Sequence, residues 1–234
     1  MRILEKITSQ INFKAHGQTI SYVNLYNYLI LRKEPGLVER IDFFTFDGFL
    51  LKWFYGVFSG RFHKRMAPDF GSYFTELFDH INVNKESLYV IGARQNEISK
   101  FISILKSKYV DVKIVNYCNG FIDEEEEKKL LKNILELNPN KVLIGMGTPK
   151  QEELAVKIKT CGGKSTIFTC GAFIAQTANK GTNYYPEKIN KYNLRWLYRI
   201  WKEPKLIKRY LLLYPLSICL FTFDFFKDKI ISSG

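Results

Sequence analysis

Asp47 follows the largely apolar residues 41–46, in Thr45-Phe46-Asp47-Gly48. A carboxylate at a strand end between apolar walls can have its proton affinity raised toward the range of a general base. An Asp-Gly turn or a helix cap explains the same residues without chemistry, and the motif by itself is weak. Gly145-Met146-Gly147-Thr148-Pro149-Lys150-Gln151-Glu152 carries more information. Here glycines close an apolar run, Thr148 can cap, Pro149 suits a first helical position, and Gln151 completes a capping box. The unpaired N–H groups and positive dipole end of such a helix start suit a diphosphate. Capping accounts for Thr148 and Pro149 but requires neither both Gly145 and Gly147 nor the cation of Lys150. Cys170-Gly171-Ala172-Phe173 and Ile91-Gly92-Ala93-Arg94 are further junctions of this type, with glycine where the backbone must approach something closely.

Spacing excludes several chemistries. Gly145 and Gly147 form G-x-G, but Lys150 stands where the third glycine of a dinucleotide fingerprint belongs. No D-x-D is present to hold a metal against a diphosphate, so lysines and arginines must neutralise the phosphates of any sugar nucleotide. Cys118, Cys161, Cys170 and Cys219 form no C-x-x-C pair and have no histidines at ligand spacing, which argues against structural zinc and suits a reducing cytosol. His16, His63 and His80 share no motif.

Residues 18–170 alternate short β-branched apolar runs with longer amphipathic ones, the pattern of βα units around a parallel sheet. Strands are expected at 20–23, 41–45, 87–91, 112–117, 142–146 and 166–170. Ile98, Phe101, Ile102 and Leu105 repeat at helical spacing, as do Leu130, Leu131, Ile134 and Leu135 after the acidic start at 123–127. Ligands of open α/β sheets bind beyond the carboxyl ends of the strands, so the glycine-ended junctions mark one candidate edge. The fold class expected is α/β: a Rossmann-like parallel sheet flanked by helices, over residues 1–182, followed by a basic, helical, membrane-docking appendage over 183–234.

A length of 234 residues suits one substantial core. With 46% hydrophobic and 25% charged residues, neither a disordered nor a polytopic membrane chain is indicated. The formal net charge of +12 calls for an anionic partner, which charge alone cannot name. The first twenty residues carry polar and charged groups throughout, which reads as a chain without a cleavable secretion signal.

Residues 142–172, together with Trp196-Leu197-Tyr198-Arg199-Ile200-Trp201-Lys202-Glu203-Pro204, Lys208-Arg209-Tyr210 and the upstream Asp47-Gly48, closely resemble the WecG/TagA/CpsF glycosyltransferases, family 26. The resemblance covers residues 20–210. It implies an inverting, metal-independent, cofactor-free enzyme moving a sugar, often N-acetylmannosamine, from a UDP donor to a polyprenyl-diphosphate-linked acceptor in cell-surface polysaccharide synthesis. By resemblance Asp47 is the general base, and Gln151, Asn24 and Arg65 belong to the pocket, with Asp69 as the next acidic position at a spacing one residue short. The tail folds over the site and brings Arg199 and Arg209 to the donor diphosphate. With Gly145, Gly147, Thr148, Lys150 and Gly171 these residues make up the expected site. This chain departs from the family pattern in having Tyr22 for threonine, Ile174 for an acidic residue, and Thr45-Phe46-Asp47-Gly48 for N-P-D-G. Those differences bear on donor identity more than on the reaction.

Between 180 and 210 basic residues, Arg195, Lys202, Lys205 and Lys208 among them, interleave with Trp196, Leu197, Ile200 and Trp201. This is the composition of an interfacial element at an anionic membrane, against a packed helix with a solvated basic face. Tyr210 to Phe223 is an uncharged run of fourteen residues with Pro215 inside it, shorter than a bilayer span, so docking at the cytoplasmic face and not crossing is expected. A non-catalytic membrane- or nucleic-acid-binding module is the contrasting reading, disfavoured because the cations sit in an aromatic-rich tail. A Rossmann enzyme of another nucleotide is a third. The sugar, the linkage and homo-oligomerisation stay open at this level.

Overall fold

A computed structural model describes residues 2–182, 189, 195–202 and 207–231. Six strands, β1 (Thr19–Val23), β2 (Phe43–Phe46), β3 (Ser87–Gly92), β4 (Lys113–Cys118), β5 (Lys141–Gly145) and β6 (Thr166–Thr169), pair in the order β2-β1-β6-β5-β3-β4. Every pairing is parallel. Each expected strand is present, with ends displaced by one or two residues. The start moves most at β2, because the Ile41 N–H still donates to Val38 O in the preceding turn.

The helices are α1 (Arg2–Glu5), α2 (Leu25–Leu31), α3 (Pro35–Glu39), α4 (Phe49–Ser59), α5 (Tyr73–Val83), α6 (Gln95–Lys108), α7 (Glu124–Leu137), α8 (Lys150–Thr160), α9 (Phe173–Lys180), α10 (Arg195–Lys202) and α11 (Tyr214–Ile231). A π-helical turn, Arg209–Leu213, leads into the last of these. Period-2 alternation within the strands decides which helix covers which face. In β3, Leu88 and Val90 join the cluster of Phe78 and Phe101 from α5 and α6. Their neighbours Tyr89 and Ile91 join Leu130 and Ile134 of α7 with Leu154 of α8. Leu143 and Phe168 repeat the first choice, and Val142, Ile144 and Ile167 the second. Burial on both faces is what makes these strands read as continuous apolar runs. The acidic start at 123–127 is the first turn of α7: Asp123 Oδ1 accepts from the Glu126 N–H at 2.8 Å, and Glu126 returns a bond to the Asp123 N–H.

The C-terminal helix belongs to this architecture. Phe221 is fully buried in the cluster of Tyr28, Leu31, Phe44 and Phe46, with its ring edge-on to Tyr28 at 5.5 Å. Ser217 Oγ donates to Leu25 O at 2.6 Å, and Arg32 grips Asp224 through Nε and Nη2, both at 2.9 Å. The uncharged run ends at Asp224, yet that charge is neutralised by Arg32 and the helix runs past it. Arg209–Lys227, 19 residues, is long and apolar enough to cross a membrane by length and composition, although one face of it is tied to α2. Pro215 falls in the first turn of α11, directly after the π-helical turn with which that helix is continuous. Lacking an N–H for the preceding turn, it coincides with the widening at Arg209–Leu213.

Phe221→Ala is expected to cost about 3–5 kcal/mol, as for a large aromatic removed from a closed core. Urea unfolding followed by circular dichroism measures it, and a loss below roughly 1 kcal/mol would place α11 outside the cooperative core.

Candidate active site

Asp47 is the first residue beyond β2, and its N–H donates to Val23 O, which continues the ladder one step past the strand. Gly48 then caps α4 without a side-chain bond, so the carboxylate is not used as a cap and projects into a cleft. Arg65 Nη2 donates to Asp47 Oδ1 at 3.1 Å and lies 3.6 Å from Asp69 Oδ2. Asn24 has two duties. Its Oδ1 caps α2 by accepting from the Tyr26 and Asn27 N–H groups, both at 3.0 Å, while its Nδ2 reaches Asp47 Oδ2 at 3.5 Å. The cap fixes the asparagine rotamer, and the rotamer aims the amide at the carboxylate.

The cleft has a volume of about 380 Å³, within the range of small-ligand sites. It lies over the carboxyl ends of β1, β2 and β6 and the loop after β5. Asn24, Asp47, Arg65, Gly147, Thr148, Gly171 and Arg209 all line it. Arg209 arrives from the C-terminal segment, its guanidinium 3.3 Å from the centroid of the Tyr26 ring, a cation–π contact that places a second cation at the cleft. Lys150 is exposed on α8 and Gly145 is buried in the strand end; neither is part of the lining. Arg199 lies on α10, and its side chain is outside the described residues. Among the described residues no group of three or more His, Cys, Asp or Glu is gathered.

The helix start after β5 differs from the capping box expected of it. Pro149, not Thr148, is the N-cap of α8, with no side-chain cap bond. Thr148 Oγ1 instead donates to Glu152 Oε1 at 3.3 Å. Gln151 is fully buried behind the cleft wall: Nε2 donates to Glu152 Oε1 at 2.7 Å, and Oε1 accepts from the Gly171 N–H at 2.9 Å. Gln151 thus holds the Gly171 loop and does not line the cleft. Glu152 was not singled out from the sequence, yet it anchors this network, since Ser21 Oγ of β1 also donates to its Oε1 at 2.9 Å and Thr169 of β6 donates to Ser21. Burial pushes the Glu152 carboxyl up to about 7, against the hydrogen bonds from Gln151, Ser21 and Thr148 that favour ionisation. The available signal was a carboxylate on the apolar, inward face of α8. Tyr22, another lining residue, presses its hydroxyl against Gly171, where a Cβ would stand 2.2 Å from the oxygen. Gly171 also has φ +54°, so glycine is required twice over.

Fold and site define a Rossmann-like α/β protein with two carboxylates, Asp47 and Asp69, two arginines and a glycine-lined wall at one sheet edge. The model of the "Glycosyl transferase WecG/TagA/CpsF family" matches residues 1–230, and the chain belongs to that family; it is a glycosyltransferase. It is 33% identical over 202 residues to a Shigella boydii protein named "UDP-Gal:alpha-D-GlcNAc-diphosphoundecaprenol beta-1,4-galactosyltransferase", covering 86% of this chain and 84% of that one. It is also similar to the "N-acetylglucosaminyldiphosphoundecaprenol N-acetyl-beta-D-mannosaminyltransferase" of Bacillus subtilis (strain 168), 28% identical over 59% of this chain and 53% of that protein. The protein of that name from Staphylococcus aureus (strain MW2) is 26% identical over 55% and 49%.

Glu152 gives this site a pH signature. A carboxyl raised from 4.5 to about 7 binds its proton more tightly in the folded state. Its contribution to stability is therefore complete below pH 4.5 and is lost as the pH rises through 7. Glu152→Gln, neutral throughout, is expected to gain stability relative to wild type by a few kcal/mol between pH 5 and pH 8 in paired urea melts. A difference that does not change with pH would show that Glu152 is ionised throughout that range.

Proposed function

We propose that this enzyme transfers a hexose, with galactose the first donor to test and N-acetylmannosamine the second, from a UDP-sugar to an N-acetylglucosaminyl-diphosphopolyprenol. The reaction occurs at the cytoplasmic face of the membrane and contributes to capsule, exopolysaccharide or teichoic acid synthesis. The lipid-linked acceptor is supported by the names of the relatives, all of which act on diphosphoundecaprenol sugars. Galactose is favoured because the relative named for it matches across most of both chains.

The observation that carries the reading is Asp47, placed at the cleft beside Arg65 and Asn24. Transfer is a single displacement. The acceptor hydroxyl oxygen attacks the anomeric carbon, the bond from that carbon to the UDP oxygen breaks, and UDP departs with the bonding pair. Asp47 takes the hydroxyl proton. One displacement inverts the anomeric centre and needs one base, for which Asp47 is assigned, while Asp69 shares Arg65 with it. Arg65 and Asn24 hold that carboxylate in one orientation, and Arg209 supplies positive charge for the leaving diphosphate. No metal or cofactor is required by this scheme.

Asp47→Asn keeps the shape and removes the base. Transfer is expected to fall by roughly 100- to 10,000-fold while donor binding is retained. The assay presents UDP-galactose, UDP-N-acetylmannosamine and other UDP-sugars to a synthetic polyprenyl-diphosphate N-acetylglucosamine, with products read by mass spectrometry and binding by calorimetry. Unchanged turnover in Asp47→Asn would overturn the assignment.

A further inference from the structure

Helix α4 begins two residues after Asp47, so its outer face starts at the rim of the cleft. Phe49, Leu50, Trp53 and Val57 share that face at helical spacing and are 41%, 39%, 44% and 49% exposed. The opposite face is committed to the core. Leu51 and Tyr55 are buried, and the Phe58 ring meets Phe221, Phe225 and Phe226 of α11 at 6.1, 5.6 and 5.3 Å. Phe226 is itself exposed, so the apolar surface passes from α4 onto the C-terminal helix at the Phe58–Phe226 contact.

Charge selects the occupant. Residues 48–68 contain no aspartate or glutamate and carry Lys52, Arg61, Lys64 and Arg65. Arg65 is engaged by Asp47 and Asp69, whereas Arg61, next to the Gly60 C-cap of α4, is exposed. Lys52 lays its ammonium 5.5 Å from the Phe49 ring centroid, with its stem along the helix. Along residues 48–68, between Asp47 and Asp69, aromatic and aliphatic side chains accompanied by cations and by no acid match a surface of anionic headgroups over acyl chains. Each cation brought to such a surface adds roughly fivefold to binding. The cleft opening agrees, because Phe49 and Leu50 line the cleft as well as the exposed face.

We infer that the outer face of α4 docks on an anionic lipid bilayer, so that the Asp47 cleft opens at the lipid surface and the protein holds the membrane through α4 as well as through its C-terminal segment. The inference deepens the lipid-linked-acceptor reading, but docking is read without donor or acceptor, so each can fail separately.

The chain has three tryptophans, which makes Trp53 a native reporter once Trp196 and Trp201 are replaced by phenylalanine. Vesicles of phosphatidylglycerol and phosphatidylcholine should shift its emission to the blue, shield it from iodide, and let acyl-brominated lipid quench it. Trp53→Glu and Val57→Glu, each checked for fold by circular dichroism, should lower partition onto these vesicles at least tenfold and leave transfer to a short-chain, water-soluble acceptor intact. The inference is overturned if Trp53 remains open to iodide on vesicle-bound protein, since the C-terminal segment would then dock alone. It is equally overturned if both glutamate variants partition as the parent does, or if Trp53 becomes shielded without vesicles as the mass doubles, which would make the face an interface between two copies.

Discussion

The site depends on how closely the carboxyl ends of the central strands approach each other. A Cβ on Gly145 would lie 2.8 Å from Gly171 O and 3.0 Å from Cys170 Sγ, and one on Gly171 would meet the Tyr22 hydroxyl. The two glycines let main chain, the Cys170 thiol and the Tyr22 hydroxyl pack together where β5, β6 and β1 end, so a side chain at either position would break up this wall of the cleft. Gln151 and Glu152 then fasten that wall from behind, with Gly171 held by one amide oxygen and Ser21, Thr148 and Gln151 converging on one carboxylate oxygen. A carboxyl buried in such a knot is costly to ionise, and the hydrogen bonds only partly offset that cost. The wall is thus rigid by packing and sensitive to protons by burial.

On the other side of the cleft the organisation is electrostatic. Arg65 spans Asp47 and Asp69, and Asn24 is locked by its capping bonds before it ever meets Asp47. A carboxylate held by a cation and an amide in this way has one orientation in the cleft. Arg209 completes the cleft from a segment far along the chain, stacked on Tyr26, a residue of the same helix that Asn24 caps. Folding of the C-terminal segment and assembly of the site are therefore linked through α2.

The C-terminal helix serves core and surface together. Phe221 and Ser217 close the apolar layer over α2, and Asp224 is held by Arg32, while Leu212, Leu216 and Phe223 remain exposed. Removing the segment would open the core as well as take away an apolar face, so point changes on exposed positions separate the two roles where a truncation cannot.

Apolar runs in a βα rhythm made all six strands, and the glycine-ended edge, legible from the residues alone; for the inner strands this follows from burial on both faces, while β4, at the sheet edge, is largely exposed and was legible from its β-branched run. Asp47 was a weak motif on its own, and Asn24 and Arg65 were named only through the family resemblance; the fold brings the three together at the cleft. Gln151 was legible as a residue but not in its placement: its Nε2 does meet Thr148 Oγ1, but only the loop after β6 supplies the Gly171 N–H that its Oε1 accepts and so turns it inward. Glu152 and Tyr22 depend in the same way on contacts between strands distant in the chain. For the tail, the sequence determined its basic and aromatic character, since that is composition. Only the tertiary structure decided that α11 is half core, because the ion pair that hides Asp224 is made with Arg32, 192 residues earlier, and no local pattern records such a partner.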